Sequence, residues 1–500
     1  MRLNLRRRQH AAAWLVACLV MAGACTASST PSPTPAATAS PTAAPGYDNP
    51  NDTPPPFSPP PTAVPSTPPS STPTDAPALP STGAWNGSTV YKLGSGEGGD
   101  VIGVGPDDTI YLLAARPVGG PKPSPSVFAV PDEKASVVAI RPDGSPKPGW
   151  PKAGVPVSGF PLGYAVGPGG TVFVVSGANP FGGSSAAHSS MTITAIDSTG
   201  KVVPGWPYRT PAAKHGLQTD FFMFGQGGRV CFMDTKPGAT GASDLPMVVY
   251  CLGGDGKLLA GWPYSSAHSL LDPAIGPDGT LYVVQVTPTQ GSGNWPDVLL
   301  AIGPDGKPRT GWTPWNPAGN EPFTTVLPEP DGRVFVLLGG DGGRAHLVLL
   351  ASDGRLLSDL AGTVDGFEQF KAIGLSADGT LYVSTYLAFG GPKTQSGDSY
   401  VFAVLEDGTA KPGWPVRVDA ASYLSVSPGG SVWITWEVYA PGTATPSGDE
   451  IAAFDPSGKL LPGFPMASLA NGHKMAFDSN GTAYVVMLAA TGGEVIDAIR

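Results

Sequence analysis

Aspartate followed by glycine recurs along the chain, as in RPDGS around Gly144, GPDGT around Gly279 and GPDGK around Gly306. Such loops can offer carboxylate and carbonyl oxygens to calcium, but a calcium site takes six to eight oxygen ligands. Comparable places elsewhere read GGD, PSG and SNG. A position that keeps its glycine and loses its aspartate suits a turn, so no metal is expected there. The histidines, His10, His188, His215, His268, His346 and His473, show no paired-ligand spacing. Neither a Gly-x-Ser-x-Gly nucleophile elbow nor a Gly-x-x-x-x-Gly-Lys phosphate loop occurs. No catalytic residue and no cofactor is predicted from motifs alone.

The elements that would position any site come from a repeat. A turn-and-strand motif appears eight times: GPDDTIYLL near Asp108, GPGGTVFVV near Gly170, GQGGRVCFM near Gly228, GPDGTLYVV near Gly279, EPDGRVFVL near Gly332, SADGTLYVS near Gly379, SPGGSVWIT near Gly430 and DSNGTAYVV near Gly481. Successive copies lie about 53 residues apart, in the range of propeller repeats. A second motif interleaves with it, for example AIDSTGKVVPGWP from Ala195 and AIGPDGKPRTGWT from Ala301. Each unit offers an apolar approach strand, a TLYVV strand, an LLAI strand and a KPGWP segment as the fourth. Gly in the intervening turns supplies the positive φ that tight hairpins need. In TLYVV both alternating sets are apolar, so both sheet faces are buried, as in blades stacked around an axis.

The last unit stops at Arg500 one strand short, and GSTVYKLG, residues 87–94, is the spare strand that could complete it. The expected fold is an all-β, eight-bladed propeller over residues 84–500, closed by this N-terminal strand. Seven blades with an extra hairpin is the alternative count.

The repeat resembles the quinoprotein-like propeller superfamily, whose blades carry an A-x-D-x-x-T-G-x-x-x-W pattern. Ala195, Asp197, Thr199, Gly200 and Trp206 correspond, although the Asp-to-Gly segment is one residue shorter and the Trp comes two residues later. The resemblance implies that Trp206 docks on the neighbouring blade, with Trp150, Trp262, Trp312 and Trp414 in the same role and Phe464 substituting once. A quinone enzyme of this superfamily also needs calcium ligands, a catalytic Asp and, in many members, an adjacent cysteine pair. No adjacent pair exists here, so the resemblance implies the scaffold rather than the enzyme. Blade alignment places Cys231 and Cys251 on adjacent antiparallel strands, where a cross-strand disulfide and two buried thiols both fit.

In such a blade the Asp-Gly turns lie on one face, and the second-to-third and blade-to-blade connections on the other. The latter are long and dissimilar, the usual seat of recognition on a rigid scaffold. Candidate ligand-binding residues entering that face are Asp100, Asp220, Asp272, Glu368, Lys371, His473 and Lys474. Phe181, Trp295, Trp315 and Trp436 are candidate exposed aromatics for stacking on sugars or anchoring a protein.

The N-terminus states where the propeller works. Arg2, Arg6, Arg7 and Arg8 precede the apolar run AAAWLVACLVMAGAC, too short to remain as a membrane anchor and typical of an export signal, residues 1–24. Ala22-Gly23-Ala24-Cys25 resembles the lipobox of bacterial lipoproteins, with Ala22 in place of the usual Leu. Cys25 is the expected lipidation site, Cys18 the alternative, and simple cleavage with secretion the third. Residues 25–83 are almost wholly Pro, Thr, Ser and Ala, a linker that cannot bury enough apolar surface to fold and whose Ser and Thr are candidate glycosylation sites. Losing four arginines from 29 basic residues leaves 25 against 39 acidic ones, a charge of −14 that argues against nucleic acid. The expectation is a lipid-anchored lipoprotein on the extracytoplasmic face of the bacterial membrane, its propeller a non-catalytic binding module for an envelope protein or glycan. The alternative is a propeller enzyme, a quinone- or metal-dependent dehydrogenase or a glycan-cleaving enzyme, working at the channel mouth.

Overall fold

The computed structural model describes residues 79–500 except 81, 85, 95–96, 118–132, 179–189, 212–221, 236–245, 287–296, 318–322, 340–345, 360–368, 387–397, 420–422, 440–445, 469–474 and 489–493. The described residues form eight small antiparallel sheets, the blades of an eight-bladed β-propeller. Blade 1 spans 98–157, blade 2 160–209, blade 3 222–265, blade 4 269–302, blade 5 323–359, blade 6 369–419 and blade 7 423–468. Blade 8 is built from both ends of the fold. Its strands Ala476–Phe477, Ala483–Leu488 and Glu494–Ile499 are completed by Ser88–Lys92, which pairs Ser88 with Ala498 and Lys92 with Val495. Gly83 makes a further bridge to Met466 on the outer edge of blade 7. No described helix is long and apolar enough to cross a membrane.

The second strand of each blade is buried on both faces because each face belongs to a different seam. In blade 4, Leu281 and Val283 pack with Met233, Val249 and Leu270 toward blade 3, while Tyr282 and Val284 pack with Phe323, Val334 and Val336 toward blade 5. Eight such seams replace a single central core, and the one joining blade 8 to blade 1 combines Val101, Ile110 and Leu112 with Tyr484, Val486 and Ile496.

Two sequence expectations are corrected. The KPGWP segment is not itself the fourth strand. A single bridge, such as Ile196 to Val202 or Ile302 to Pro308, is followed by a Gly in positive φ that ends the ladder. The outer strand comes after the Trp-Pro pair, as in Tyr208–Arg209, Tyr264–Ser265 and Val416–Asp419. In blade 4 only three strands form, and Trp315 takes the fourth place through backbone bonds in both directions to Leu299 at 2.7 and 3.2 Å.

The tryptophans dock across the seams in two ways. Trp206, Trp262 and Trp414 donate to the carbonyls of Gly254, Pro304 and Pro456 in the next blade, at 2.9, 3.1 and 3.2 Å. Trp150 and Trp312 donate instead to Val137 and Leu299 of their own blades. The recurring aspartates have a local task. In these turns an Asp Oδ1 accepts the backbone N–H two residues on, as Asp278 does from Thr280 and Asp407 from Thr409, both at 2.9 Å.

A staple repeats in blades 1, 4 and 6, where Lys147, Arg309 or Lys411 joins the turn aspartate to a buried Tyr hydroxyl. Lys411 Nζ lies 3.4 Å from Asp378 and 3.2 Å from the Tyr382 hydroxyl. Partial burial works against ionising Asp378, but hydrogen bonds from Ser376 and Thr380 and the charge of Lys411 outweigh it and hold the carboxyl at about 2.

Between blades 5 and 6 the arrangement is less comfortable. Glu329 is 1% exposed and faces Arg333 Nε at 3.1 Å, while the same guanidinium reaches Asp331 at 2.6 Å and Glu406 of blade 6 at 3.0 Å. Burial is the largest influence on Glu329; Arg333 opposes it, the other two carboxylates add to it, and the pKa rises from 4.5 to about 7. The folded protein therefore binds this proton more tightly than the unfolded chain does. The stability it contributes is full below pH 4.5 and is lost as pH rises through 7. Glu329→Gln should flatten the unfolding free energy between those pH values in urea titrations. A variant that keeps the wild-type slope would show that another group sets it.

Candidate functional site

Because neighbouring strands alternate in direction, all first-to-second and third-to-fourth turns emerge on one face of the ring. The second-to-third connections and the blade-to-blade connections emerge on the other. The turns carry Asp and Lys or Arg in near balance, so most of the chain's acidic excess belongs to the loop side.

On that side the innermost strand of blade 4, Ser269–Ile275, carries a bulge between Leu271 and Ala274, and Asp272 within it adopts φ 45°. Aside from Asp108, it is the one described non-glycine residue with positive φ. The bulge turns the Asp272 side chain out of the regular alternation. Burial, and secondarily the charge of Asp297, raises its pKa to about 7. Asp297 opens the third strand of the same blade, opposite Val286, and burial raises it to about 6. One Asp297 oxygen, Oδ1, is buried without a hydrogen-bond partner. Two carboxyl groups poised near neutral pH can hold or release a proton, or accept a cation that would replace it. Among the described residues no group of three or more metal-ligating side chains gathers.

Asp100 lies on the innermost strand of blade 1, where its carboxylate accepts a hydrogen bond from the Tyr164 hydroxyl of blade 2. Next to it, the Gly99 N–H donates to Glu494 of blade 8 at 2.7 Å, so this stretch ties three blades together. The structure brings Asp272 and Asp297 into one blade and places Asp100 three blades away. Lys371 lies on the innermost strand of blade 6, Gln369–Leu375, and its side chain is outside the described residues. Asp220, Glu368, His473, Lys474, Phe181 and Trp295 also lie outside them, as do Cys18 and Cys25.

One aromatic expectation is overturned. Trp436 is 3% exposed, because it shares a strand face with Val432 and Ile434 and packs in the seam between blades 6 and 7. Trp315 is partly buried: its backbone bonds to Leu299 hold it, and its ring meets Phe323 edge-on at 5.7 Å beside the seam between blades 4 and 5. Cys231 and Cys251 are directly opposed across blade 3, Cα to Cα 4.1 Å, and form a disulfide inside the seam with blade 4.

Asp297 was the residue that sequence reasoning missed. It occupies the place held by Ala135, Met191 and Met247 in blades 1–3, so a charged residue opening an otherwise apolar strand was the available signal.

No family model matches the sequence, and no curated protein matches it. Solved structures similar to it include a Bacteroides caccae protein of unknown function, 16% identical, which covers 55% of this chain and 90% of its own with a TM-score of 0.31. A puromycin hydrolase is 16% identical over 81% of this chain and 61% of its own, TM-score 0.42. A polysaccharide lyase is 11% identical over 69% and 90%, TM-score 0.40.

Proposed function

We propose that the chain is an extracytoplasmic binding module, an eight-bladed propeller on a quinoprotein-like repeat scaffold that presents its loop face to a cell-envelope protein or glycan. The observation that carries this reading is the asymmetry of the two faces. The turn face repeats one short glycine turn around the ring, while the connections on the other face differ in length and sequence from blade to blade. A rigid ring with one uniform and one variable face is built to hold recognition loops. The export signal, Cys25 and the Pro/Thr/Ser-rich segment support display on a lipid anchor outside the membrane.

Screening the full chain against glycan and envelope-protein arrays tests the reading. Saturable binding that falls at least about tenfold in Asp272→Asn is the expected result. Binding unaffected by every loop-face substitution would move recognition to the turn face. Mass spectrometry of the mature N-terminus should find a diacylglycerol-modified Cys25; an unmodified N-terminus at any residue other than Cys18 or Cys25 would overturn the anchor.

A second reading, a glycan-cleaving enzyme at the same mouth, draws on Asp272 and Asp297, whose raised pKa values suit general acid or base work. Turnover of a bound glycan, abolished in Asp297→Asn with binding retained, would establish it.

A further inference from the structure

A second group of side chains converges in the crevice between blades 2 and 3, on strands other than those carrying Asp272 and Asp297. Asp234 lies toward the loop-side end of Val230–Thr235, the second strand of blade 3, and is 7% exposed. Thr235 supplies hydrogen bonds to its carboxylate, yet Oδ1 is buried with no partner. Among the described residues no Lys or Arg acts on it. A buried carboxylate oxygen left unpaired costs free energy, so such an atom asks for a missing partner.

What surrounds the carboxylate narrows the partner's chemistry. Asp234 is opposite Val248, and two residues along, Phe232 is opposite Tyr250, so Asp234 and Tyr250 are diagonal neighbours on one blade face. Phe222, Phe232 and Tyr250 form a ladder of rings across three strands, with centroids 5.7 and 5.0 Å apart and the second pair nearly parallel at 12°. From the outer strand of blade 2, Tyr208 leans on Phe232 at 6.0 Å. Phe222 and Phe232 are buried, whereas Tyr208 and Tyr250 are only partly so and form the open side. Both phenols are raised by burial. Tyr250 is raised further by the charges of Asp234 and Tyr208, consistent with the three polar ends sharing one space.

We propose that this crevice binds an organic ammonium group, with the Asp234 carboxylate as its counter-ion and the Tyr208 and Tyr250 rings as its walls. A carboxylate accepts the ammonium hydrogens, and aromatic faces attract a cation placed within about 6 Å of their centroids. Among the described residues, one carboxylate and two phenols fall short of the oxygen set a divalent metal requires. A stacked sugar fits poorly, since Phe232 already covers one face of Tyr250. A small free amine and a lysine side chain of a partner protein share the ammonium chemistry.

The test is calorimetric titration of the full chain with n-butylammonium and with N-acetyl-lysine methylamide, using N-acetyl-norleucine methylamide as the uncharged isostere. Saturable binding of an ammonium probe is expected, with a dissociation constant on the order of 1 mM for a single charged contact. Asp234→Asn should weaken it at least about tenfold and Tyr250→Leu about threefold or more. Asp234→Asn should also raise the thermal midpoint of the ligand-free protein, because it removes an unpaired buried charge. Binding of the lysine probe alone identifies the ligand as a protein side chain, and binding of both probes points to a small amine. Absence of saturable binding by the wild type overturns the proposal. So does equal binding of the norleucine probe, or full affinity in both variants. Should Asp234→Asn fail to fold, Tyr250→Leu and Tyr208→Leu decide the matter, since unchanged affinity in both excludes the crevice.

Discussion

A chain lacking residues 84–94 should unfold at a markedly lower temperature than the full chain and should associate as its concentration rises. The deletion removes Ser88–Lys92 and exposes the backbone edge of Glu494–Ile499. It also withdraws Val90 and Tyr91 from the seam between blades 8 and 1. Partly burying two side chains of this size stabilises by roughly 2 to 4 kcal/mol, and the ladder hydrogen bonds add to that. The larger consequence is kinetic and colloidal, because an unpaired strand edge is a template for another chain. Differential scanning calorimetry and light scattering measure the two effects. A synthetic peptide of residues 84–94 added in trans should restore most of the midpoint. A truncated chain that remains monomeric at the wild-type midpoint would mean that blade 8 closes the ring without its borrowed strand.

The second large effect separates backbone strain from seam packing at one repeated position. Gly261 has φ 85°, and a Cβ there would lie 1.8 Å from the Asp305 carbonyl oxygen of the next blade. Gly311 holds the same place in blade 4 at φ 82°, with nothing within 4 Å of such a Cβ. Gly311→Ala therefore reports left-handed strain alone, about 1 to 2 kcal/mol. Gly261→Ala carries that cost plus an overlap with backbone that cannot swing aside, typically a further 1 to 3 kcal/mol. Denaturant unfolding should place Gly261→Ala clearly below Gly311→Ala, with Gly205→Ala and Gly413→Ala grouped with the former. Those two glycines would set a Cβ 2.0 and 1.9 Å from the Asp255 and Ser457 carbonyls. Equal losses in all four variants would show that the seam yields and that strain alone holds these glycines in place.

Much of this fold could be read from single stretches of chain. Turn glycines, doubly apolar second strands and the strand missing before Arg500 are local features, and each maps onto a blade as expected. The outer strands were misplaced because a Gly-Trp-Pro run looks like the end of a unit. In the folded protein it is a corner, with Trp206 anchored to the Gly254 carbonyl of the following blade and the strand resuming at Tyr208. Trp436 was misjudged for a related reason. Proximity to a variable connection suggested exposure, but its place in the alternation of Val432 and Ile434 turns it into the seam.

The sequence by itself made eight the expected blade count, with seven as the alternative that the eight sheets rule out, and it determined the closure of the ring by its own N-terminal strand and the division into a uniform and a variable face. Those features depend on periodicity and turn stereochemistry, which act over a few residues and leave a readable pattern. Only the tertiary structure decided which of the other carboxylates are buried. Asp234 and Asp297 are spelled like the aspartates of the turns, which accept backbone N–H groups in solvent. They differ because strands and rings distant in sequence strip water from them and leave an oxygen unpaired. Desolvation is a property of what surrounds a residue from every side, and no local pattern of residue types encodes it.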